Sequence, residues 1–332
     1  MFSVRIETII INLVCFLLIA DSSMSIVTSA DTGTNFRQLQ QQSATLLQNA
    51  LAPATRKAYT KAWDKYNTFA TFFKKPNLLP LPIDNLCCFI TYLHNQNTPT
   101  ASITQIISGL SYLHKIRNLP DFTHSFPVRQ LLSSLNKSTP CSRDNRLPIT
   151  QPLLYEFLEN IEKCDISRYK QLLFKAMFSM CFTFALRIGE ITNSVHNIHL
   201  NQITMKENCL SLRFHSFKHS SNEPINKHEI ATSGHTFCTV NIMKNYLSVR
   251  GKGAGPLFQY KNQPVSKSHF AAVLKTICKV CNIGHKRITP HSFRIGAANH
   301  WVNQGYSDHQ IMRMGRWKSN AVFVYLRGTV HH

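Results

Sequence analysis

The stretch TPHSFRIGAA at residues 289–298 decides how the rest of the chain is interpreted. Thr289 is a suitable N-cap residue, and Pro290 fits the first turn of a helix. Such a helix places His291 and Arg294 three residues apart, on one face. A base and a cation are therefore predicted to lie side by side.

Two other segments carry side chains that suit the same chemistry. In the segment 184–191, Arg187 interrupts an apolar run that the pattern predicts to be helical. A buried guanidinium is costly unless it meets a carboxylate or a phosphate, and Glu190 follows one helical turn later. Further on, the tripeptide GRW at residues 315–317 precedes Tyr325. Two arginines, a histidine and a late tyrosine together could hold a phosphodiester.

These segments resemble the two signature boxes of the tyrosine recombinase (phage-integrase-like) family. The closing segment 315–327 is most similar to the recombinases of eukaryotic DIRS-type and Crypton-type mobile elements. The resemblance covers roughly residue 147 to the end, and several motifs in the right order make it specific. It implies a mainly α fold with a small antiparallel β-sheet (α+β). A helical, SAM-like core-binding domain and the tyrosine recombinase catalytic domain would form a C-shaped DNA clamp.

The resemblance also assigns catalytic roles, which fall on Arg187, Lys218, His291, Arg294, Trp317 and Tyr325. Tyr325 would attack the phosphorus, and its ordinary pKa of roughly 10 means that it needs a base and nearby cations. The arginines would neutralise charge in the transition state, with Glu190 orienting Arg187. Structural explanations remain for each residue taken alone: an ion pair for the arginines and a core position for the tyrosine. The complete, ordered set favours catalysis.

Two of these roles have alternatives or departures. Lys218, on a hairpin turn, would protonate the leaving 5′-oxygen, which is typically worth ~10²–10⁴ in rate. His219 and Lys227 are alternative candidates, and a lysine on a turn is usually only solvated. Trp317 stands where many family members carry a second histidine, and its indole can donate a hydrogen bond but cannot accept one.

Composition limits the partners. The chain has 332 residues, 43% of them hydrophobic, which suits two globular domains. Lysine and arginine number 37 against 16 acidic residues, giving a formal charge of +21. This excess favours a polyanion, nucleic acid first and an anionic membrane second.

The cysteines and carboxylates bear on cofactors. The ten cysteines have no regular spacing, so a reduced compartment is the simpler interpretation. Cys278 and Cys281 with His285 could form half of a zinc site, but the chain has no second CxxC pair. Asp308 and Glu190 lie in different motifs, which argues against a two-metal nuclease. No metal or small-molecule cofactor is expected.

The leader, residues 1–35, differs from the rest of the chain. Its apolar run 9–20 has the length of a signal-peptide core and is short for a membrane span, and Ala30 could end a cleavage site. Three explanations stay open: a gene-model artefact, a true signal, or an extra helix. A secreted recombinase makes little physical sense, so the first is favoured and the nucleus is the expected location.

Residues 36–138 are predicted to form the helical core-binding domain, followed by a linker at 139–146 and the catalytic domain at 147–332. The predicted helix 53–73 has aromatic residues at three- and four-residue steps, which favours a core face over base stacking. The predicted DNA contacts are Arg56, Lys57, Lys61, Lys65, Arg143, Arg146, Arg316 and Lys318. In the catalytic domain, alternation predicts a strand at 210–214 and an antiparallel return at 225–231.

Further helices of the catalytic domain are predicted at 167–186, 239–249 and 267–281. The helix that carries His291 is expected to end at Gly305, and Ser307 with Gln310 predicts a capping box that opens the next helix.

The predicted function is site-specific recombination or integration of double-stranded DNA by a homo-oligomer, a tetramer on DNA. Cleavage and rejoining would be metal-independent and pass through a 3′-phosphotyrosyl intermediate. The alternative is a domesticated, catalytically silent DNA-binding protein of the same fold. A type IB topoisomerase shares the chemistry, but the short chain and the recombinase-like boxes argue against it.

Overall fold

The structure is a computed structural model, and it describes residues 36–138, 145–215, 224–230, 237–284, 287–318, 322–323 and 326. The leader, most of the predicted linker, Lys218 and Tyr325 lie outside this part of the chain. The chain divides into two compact units, residues 1–142 and 143–332. Within the described residues, no helix is both long and apolar enough to cross a membrane.

In the described part of the N-terminal unit, all regular secondary structure is helical. Its helices are α1 (Phe36–Asn49), α2 (Pro53–Phe72), α3 (Ile83–Asn95), α4 (Thr100–Lys115) and α5 (Phe126–Ser138). Prolines lie at the N-termini of three of these helices. Pro53 is the first residue of α2, and Pro82 and Pro99 occupy the N-cap positions of α3 and α4. The predicted helical pattern of this region is therefore confirmed.

The aromatic stripe of α2 forms much of this unit's core. Trp63, Tyr66 and Phe69 are buried, and the ring of Tyr66 lies edge-on to Phe89 of α3 with centroids 5.2 Å apart. The predicted core face is thus confirmed, except at its end, where Phe72 is 71% exposed.

Helix α4 approaches α2 closely at Gly109, where an added Cβ would lie 2.9 Å from Ala62 and from the Tyr59 ring. The close crossing of these two helices therefore depends on a residue without a side chain.

The C-terminal unit combines helices with two small antiparallel sheets, so the predicted α+β class is confirmed. Its helices are α6 (Gln151–Asn160), α7 (Arg168–Thr183), α8 (Ile188–Ile191), α9 (Thr239–Arg250), α10 (Lys267–Val280), α11 (Ser292–Asn303) and α12 (Asp308–Gly315). Its strands are β1 (Ile203–Lys206), β2 (Cys209–Phe214), β3 (Ile225–Ile230), β4 (Gln259–Tyr260) and β5 (Gln263–Pro264). Helix α7 is buried over much of its surface and contacts α9 and α11.

The larger sheet has the order β1-β2-β3 with antiparallel pairing. Leu210, Leu212 and Phe214 of β2 are buried, as their alternation predicted. On β3, Lys227 lies opposite Leu212 and so on the core-facing side of the sheet. Sequence periodicity did not locate β1, β4 and β5 individually, because such short strands give too few alternations.

The predicted helix 167–186 is too long at its C-terminal end. Helix α7 ends at Thr183, and Ala185 follows in the left-handed region with φ of 45°. This break leaves Arg187 in extended backbone, at the N-cap of the short helix α8, rather than within a helix.

The start of α11 also differs from the prediction. The helix begins at Ser292, so His291 occupies the N-cap position in place of Thr289. The Ser292 hydroxyl instead accepts a hydrogen bond from the Thr289 backbone N–H at 3.0 Å. Downstream, Gly305 has φ of 79° just after the helix, and Ser307 with Gln310 forms a capping box, both as predicted.

Candidate active site

Arg294 lies in the first turn of α11 with 1% of its surface exposed. Its Nη1 donates to the Ala185 carbonyl, and its Nη2 donates to the Gly315 carbonyl at 3.0 Å. The guanidinium also lies over the Trp317 ring, 4.5 Å from the centroid. Residues far apart in the sequence therefore hold this cation in one orientation.

Two glycines permit the close packing around Arg294. A Cβ on Gly296 would lie 1.8 Å from the Ile149 carbonyl oxygen, so α11 could not approach the 147–149 segment as it does. A Cβ on Gly315 would lie 1.5 Å from the Trp317 ring. Without a side chain at position 315, the indole folds back over the end of α12 and reaches Arg294.

Arg187 reaches the same region from the N-terminus of α8. Its Nη1 donates to Glu190 Oε1 at 3.2 Å, and its backbone N–H donates to Glu190 Oε2 at 2.8 Å. Its Nη2 donates to the Arg316 carbonyl at 3.3 Å. The side chain is 25% exposed, while the Glu190 side chain is 2% exposed. Glu190 therefore contacts both the backbone and the guanidinium of Arg187, whose side chain keeps access to solvent, and its orienting role stays a prediction.

Arg316 is buried, contrary to its prediction as a DNA contact. Its side chain is 1% exposed, and its Nη2 donates to Glu190 Oε2 at 2.8 Å. The guanidinium lies 3.7 Å from the centroid of the Phe214 ring. Burial lowers its pKa to about 10, against the opposing effect of Glu190, so it stays charged at neutral pH. The Glu190 carboxylate and the Phe214 ring occupy this guanidinium, so the structure does not place it as a DNA contact.

The C-terminal end of α12 organises these cations through its main chain. Four consecutive carbonyls, those of residues 313–316, accept hydrogen bonds from basic side chains, and we call them the 313–316 turn. Arg294 binds the carbonyl of residue 315 and Arg187 binds that of residue 316. Lys227 of β3 donates to the carbonyls of residues 313 and 314 at 3.1 and 2.8 Å. The negative end of the helix dipole favours all three cations.

Sequence reasoning considered Lys227 only as an alternative to Lys218 and did not foresee this contact. Burial lowers the Lys227 pKa to about 8, and the positive charges of Arg316 and Arg313 act in the same direction. The sequence feature that could have indicated this contact is the position of Lys227 in its strand. It lies two residues after Ile225, a half-buried core-facing residue, and so on the same face of the strand.

The other predicted site residues are placed as follows. His291 is half-buried at the start of α11, and its carbonyl accepts from the Arg294 backbone N–H at 3.0 Å. Lys218, Tyr325 and Arg143 lie outside the described residues. Among the predicted DNA contacts, Arg56 and Arg146 are half-buried, and four are exposed: Lys57, Lys61, Lys65 and Lys318.

The exposed lysines of α2 recur at four-residue steps. This spacing puts Lys57, Lys61 and Lys65 on one helix face, away from the buried aromatic stripe. A basic face of this kind is available to phosphates.

Cys278 lies in the last turn of α10, and Cys281 follows as the C-cap residue of that helix. Burial raises the pKa of both thiols to about 11. In the described part of the chain, no cluster of three or more His, Cys, Asp or Glu side chains could hold a metal ion. His285 lies outside that part.

Comparisons with known proteins identify the family and the fold of this chain. The model of the phage integrase family matches residues 152–327, more than half of the chain. No curated protein matches the sequence significantly. Among solved structures, XerH site-specific recombinase in a post-cleavage complex with a palindromic difH substrate has a TM-score of 0.63. It is 14% identical, and the match covers 86% of this chain and 80% of XerH.

Two further solved structures share the fold. A lambda integrase dimer bound to a COC′ core site has a TM-score of 0.56 and 14% identity, over 89% of this chain and 95% of that one. The Tn1549 transposon integrase in complex with transposon right end DNA has a TM-score of 0.52 and 11% identity, over 97% and 95%.

Proposed function

Because this chain belongs to the phage integrase family of tyrosine recombinases, we propose that it cleaves and rejoins double-stranded DNA at specific sites. The observation that carries the proposal is the convergence of Arg187 and Arg294. They come from separate motifs, and both bind the 313–316 turn of α12. Two planar guanidiniums held in one region suit a phosphate that gains negative charge in its transition state.

The proposed reaction is a transfer of the phosphoryl group to the chain and back. The Tyr325 oxygen forms a bond to the scissile phosphorus while the bond from phosphorus to the 5′-oxygen breaks. His291 takes the phenol proton, and Lys218 gives a proton to the leaving 5′-oxygen. A 5′-hydroxyl of a second strand then attacks the phosphorus of the 3′-phosphotyrosyl link and gives its proton to Lys218, while the bond from phosphorus to the Tyr325 oxygen breaks and His291 returns the phenol proton. The bond energy is conserved in the covalent intermediate, so no external energy source is required.

Binding and assembly follow from the same proposal. The exposed lysines of α2, together with a formal charge of +21, favour contact with a DNA backbone. Exchange between two duplexes requires several active sites, so a homo-tetramer on DNA is the working assembly in this proposal. The nucleus is its proposed location.

The deciding experiment uses Tyr325→Phe with Tyr306→Phe as a matched control. Tyr306 is exposed and lies outside the segments 184–191, 289–298 and 315–327 that carry the family resemblance. Supercoiled random-sequence DNA is incubated with each protein, and covalent adducts are recovered under denaturing conditions and sequenced. The parent and Tyr306→Phe are expected to form adducts at recurrent sites, whereas Tyr325→Phe binds DNA equally well and forms none.

An adduct that persists in Tyr325→Phe would assign the nucleophile elsewhere. DNA binding without any adduct from the parent would favour the catalytically silent DNA-binding protein. Cleavage should also continue in EDTA, since the proposed chemistry uses cationic side chains. Activity that is lost in EDTA and restored by magnesium would refute the metal-independent mechanism.

A further inference from the structure

Glu190 is a buried carboxylate shared by two arginines. Its Oε1 accepts from Arg187 and its Oε2 accepts from Arg316, at 3.2 and 2.8 Å. The three side chains differ in exposure, because Arg316 and Glu190 are enclosed while Arg187 retains a quarter of its surface. The cluster therefore has one face open to solvent, and that face belongs to Arg187.

The charges of this cluster sum to +1, with two guanidiniums and one carboxylate. If Arg187 and Glu190 stood alone, the carboxylate would cancel the charge that Arg187 offers to a phosphate. A carboxylate a few ångströms away in a low-dielectric environment opposes anion binding strongly. Arg316 forms the shorter of the two ion pairs, and its burial leaves it poorly screened by water.

We propose that Arg316 is a positioning residue that neutralises Glu190, so that Glu190 orients Arg187 without cancelling its charge. This role rests on the proposed function. It replaces the direct phosphate contact that the sequence suggested for Arg316. Arg187 can then shift from Glu190 Oε1 toward the scissile phosphate while the carboxylate remains compensated.

The local structure supports a fixed place for Arg316. It follows α12 in the left-handed conformation, with φ of 57°, and its guanidinium is stacked on the Phe214 ring of β2. Its carbonyl accepts the Nη2 donor of Arg187. One residue therefore contacts Arg187 through its main chain and the carboxylate partner of Arg187 through its side chain.

The test compares Arg316→Met, Arg316→Lys and the control Arg168→Met. Arg168 is the first residue of α7, and its exposed side chain pairs with Glu162 at 3.0 Å, away from the candidate site. Two quantities are measured for each folded protein: the DNA dissociation constant, and the single-turnover rate of covalent adduct formation at saturating DNA. The rate reports the transition state, and the dissociation constant reports the many other phosphate contacts.

We expect Arg316→Met to slow adduct formation at least tenfold while DNA affinity changes less than about threefold. Arg316→Lys should retain a rate within about fivefold of the parent, because it keeps a positive charge near Glu190. Arg168→Met should behave as the parent. The inference is overturned if Arg316→Met matches Arg168→Met, or if Arg316→Lys is as slow as Arg316→Met.

A double variant covers the case in which Arg316→Met does not fold. Arg316→Met/Glu190→Gln removes both buried charges and leaves Arg187 without a cancelling carboxylate. Its adduct rate should lie within about tenfold of the parent, and a rate as low as that of Arg187→Ala would overturn the inference. A parent protein that forms no adduct at all would instead refute the proposed function, so the two failures are distinguishable.

Discussion

Replacing Arg294 by methionine should reduce both stability and catalysis, whereas the same change at Arg187 should reduce catalysis with only a small loss of stability. Arg294 is buried, and its loss leaves the Gly315 carbonyl without its side-chain donor and leaves the Ala185 carbonyl with only the longer contact to Arg316 Nη2, at 3.5 Å. Each buried acceptor left unsatisfied costs roughly 1–3 kcal/mol, and losing the contact with the Trp317 ring adds about 1–2 kcal/mol. Methionine fills part of the space, so the expected net loss is about 3–5 kcal/mol.

For Arg187→Met the loss in stability should be about 1 kcal/mol, because the side chain is partly exposed and Glu190 keeps its pair with Arg316. Both variants should slow cleavage by roughly 10²–10³, the cost of removing one donor to the transition state.

The assay is unfolding in urea, monitored by tryptophan fluorescence. The chain has three tryptophans, and a Trp63→Phe background leaves Trp301 and Trp317, both in the C-terminal unit. For a unit of this size, 3–5 kcal/mol corresponds to a decrease in Tm of about 6–20 °C, which calorimetry should detect independently. Equal unfolding midpoints for Arg294→Met and Arg187→Met would refute the claim that the two carbonyls depend on Arg294.

Three further outcomes are expected. Lys218→Ala should lose cleavage of normal DNA but regain it on a substrate with a 5′-bridging sulfur, and a failure of this rescue would assign the acid to another residue. Gly315→Ala should lower the free energy of unfolding by about 1–3 kcal/mol, because the added Cβ displaces the Trp317 ring. The control Gly253→Ala has open space around it and should change this free energy little. Equal effects of the two substitutions would contradict the steric argument. The Lys227 pKa is about 8 in the folded protein and 10.5 in the unfolded chain, so between these pH values the unfolded chain binds more protons at this residue. The free energy of unfolding should therefore increase as the pH rises through this window. In Lys227→Met, the increase of the urea midpoint with pH should be smaller.

Local patterns predicted most of the secondary structure, because the relevant interactions are close in sequence. The buried aromatic face of α2 follows from helical periodicity, and the capping box of α12 lies within four residues, from Ser307 to Gln310. The alternation in β2 likewise identified its buried side chains.

The parts that sequence reasoning missed depend on distant partners. Ala185 has an ordinary helix-forming side chain, yet it adopts a left-handed conformation, where its carbonyl accepts from Arg294 across 109 positions. Arg316 was predicted to be a surface cation, because its ion-pair partner Glu190 is 126 positions away and local sequence gives no indication of the pairing. Neither contact leaves a periodic signal, so a single sequence could suggest the participants but not these pairings.

The 313–316 turn has a consequence for how related chains can diverge. A carbonyl oxygen is present at every residue whatever its side chain, so the acceptors that hold Lys227, Arg187 and Arg294 impose no amino-acid identity on positions 313 and 314. Substitutions of the exposed side chain of Arg313 should accordingly leave the guanidiniums of Arg187 and Arg294 in position. A library randomised at position 313 should therefore yield many folded proteins with altered surface charge, and it offers a starting point for changing the DNA preference of the proposed recombinase.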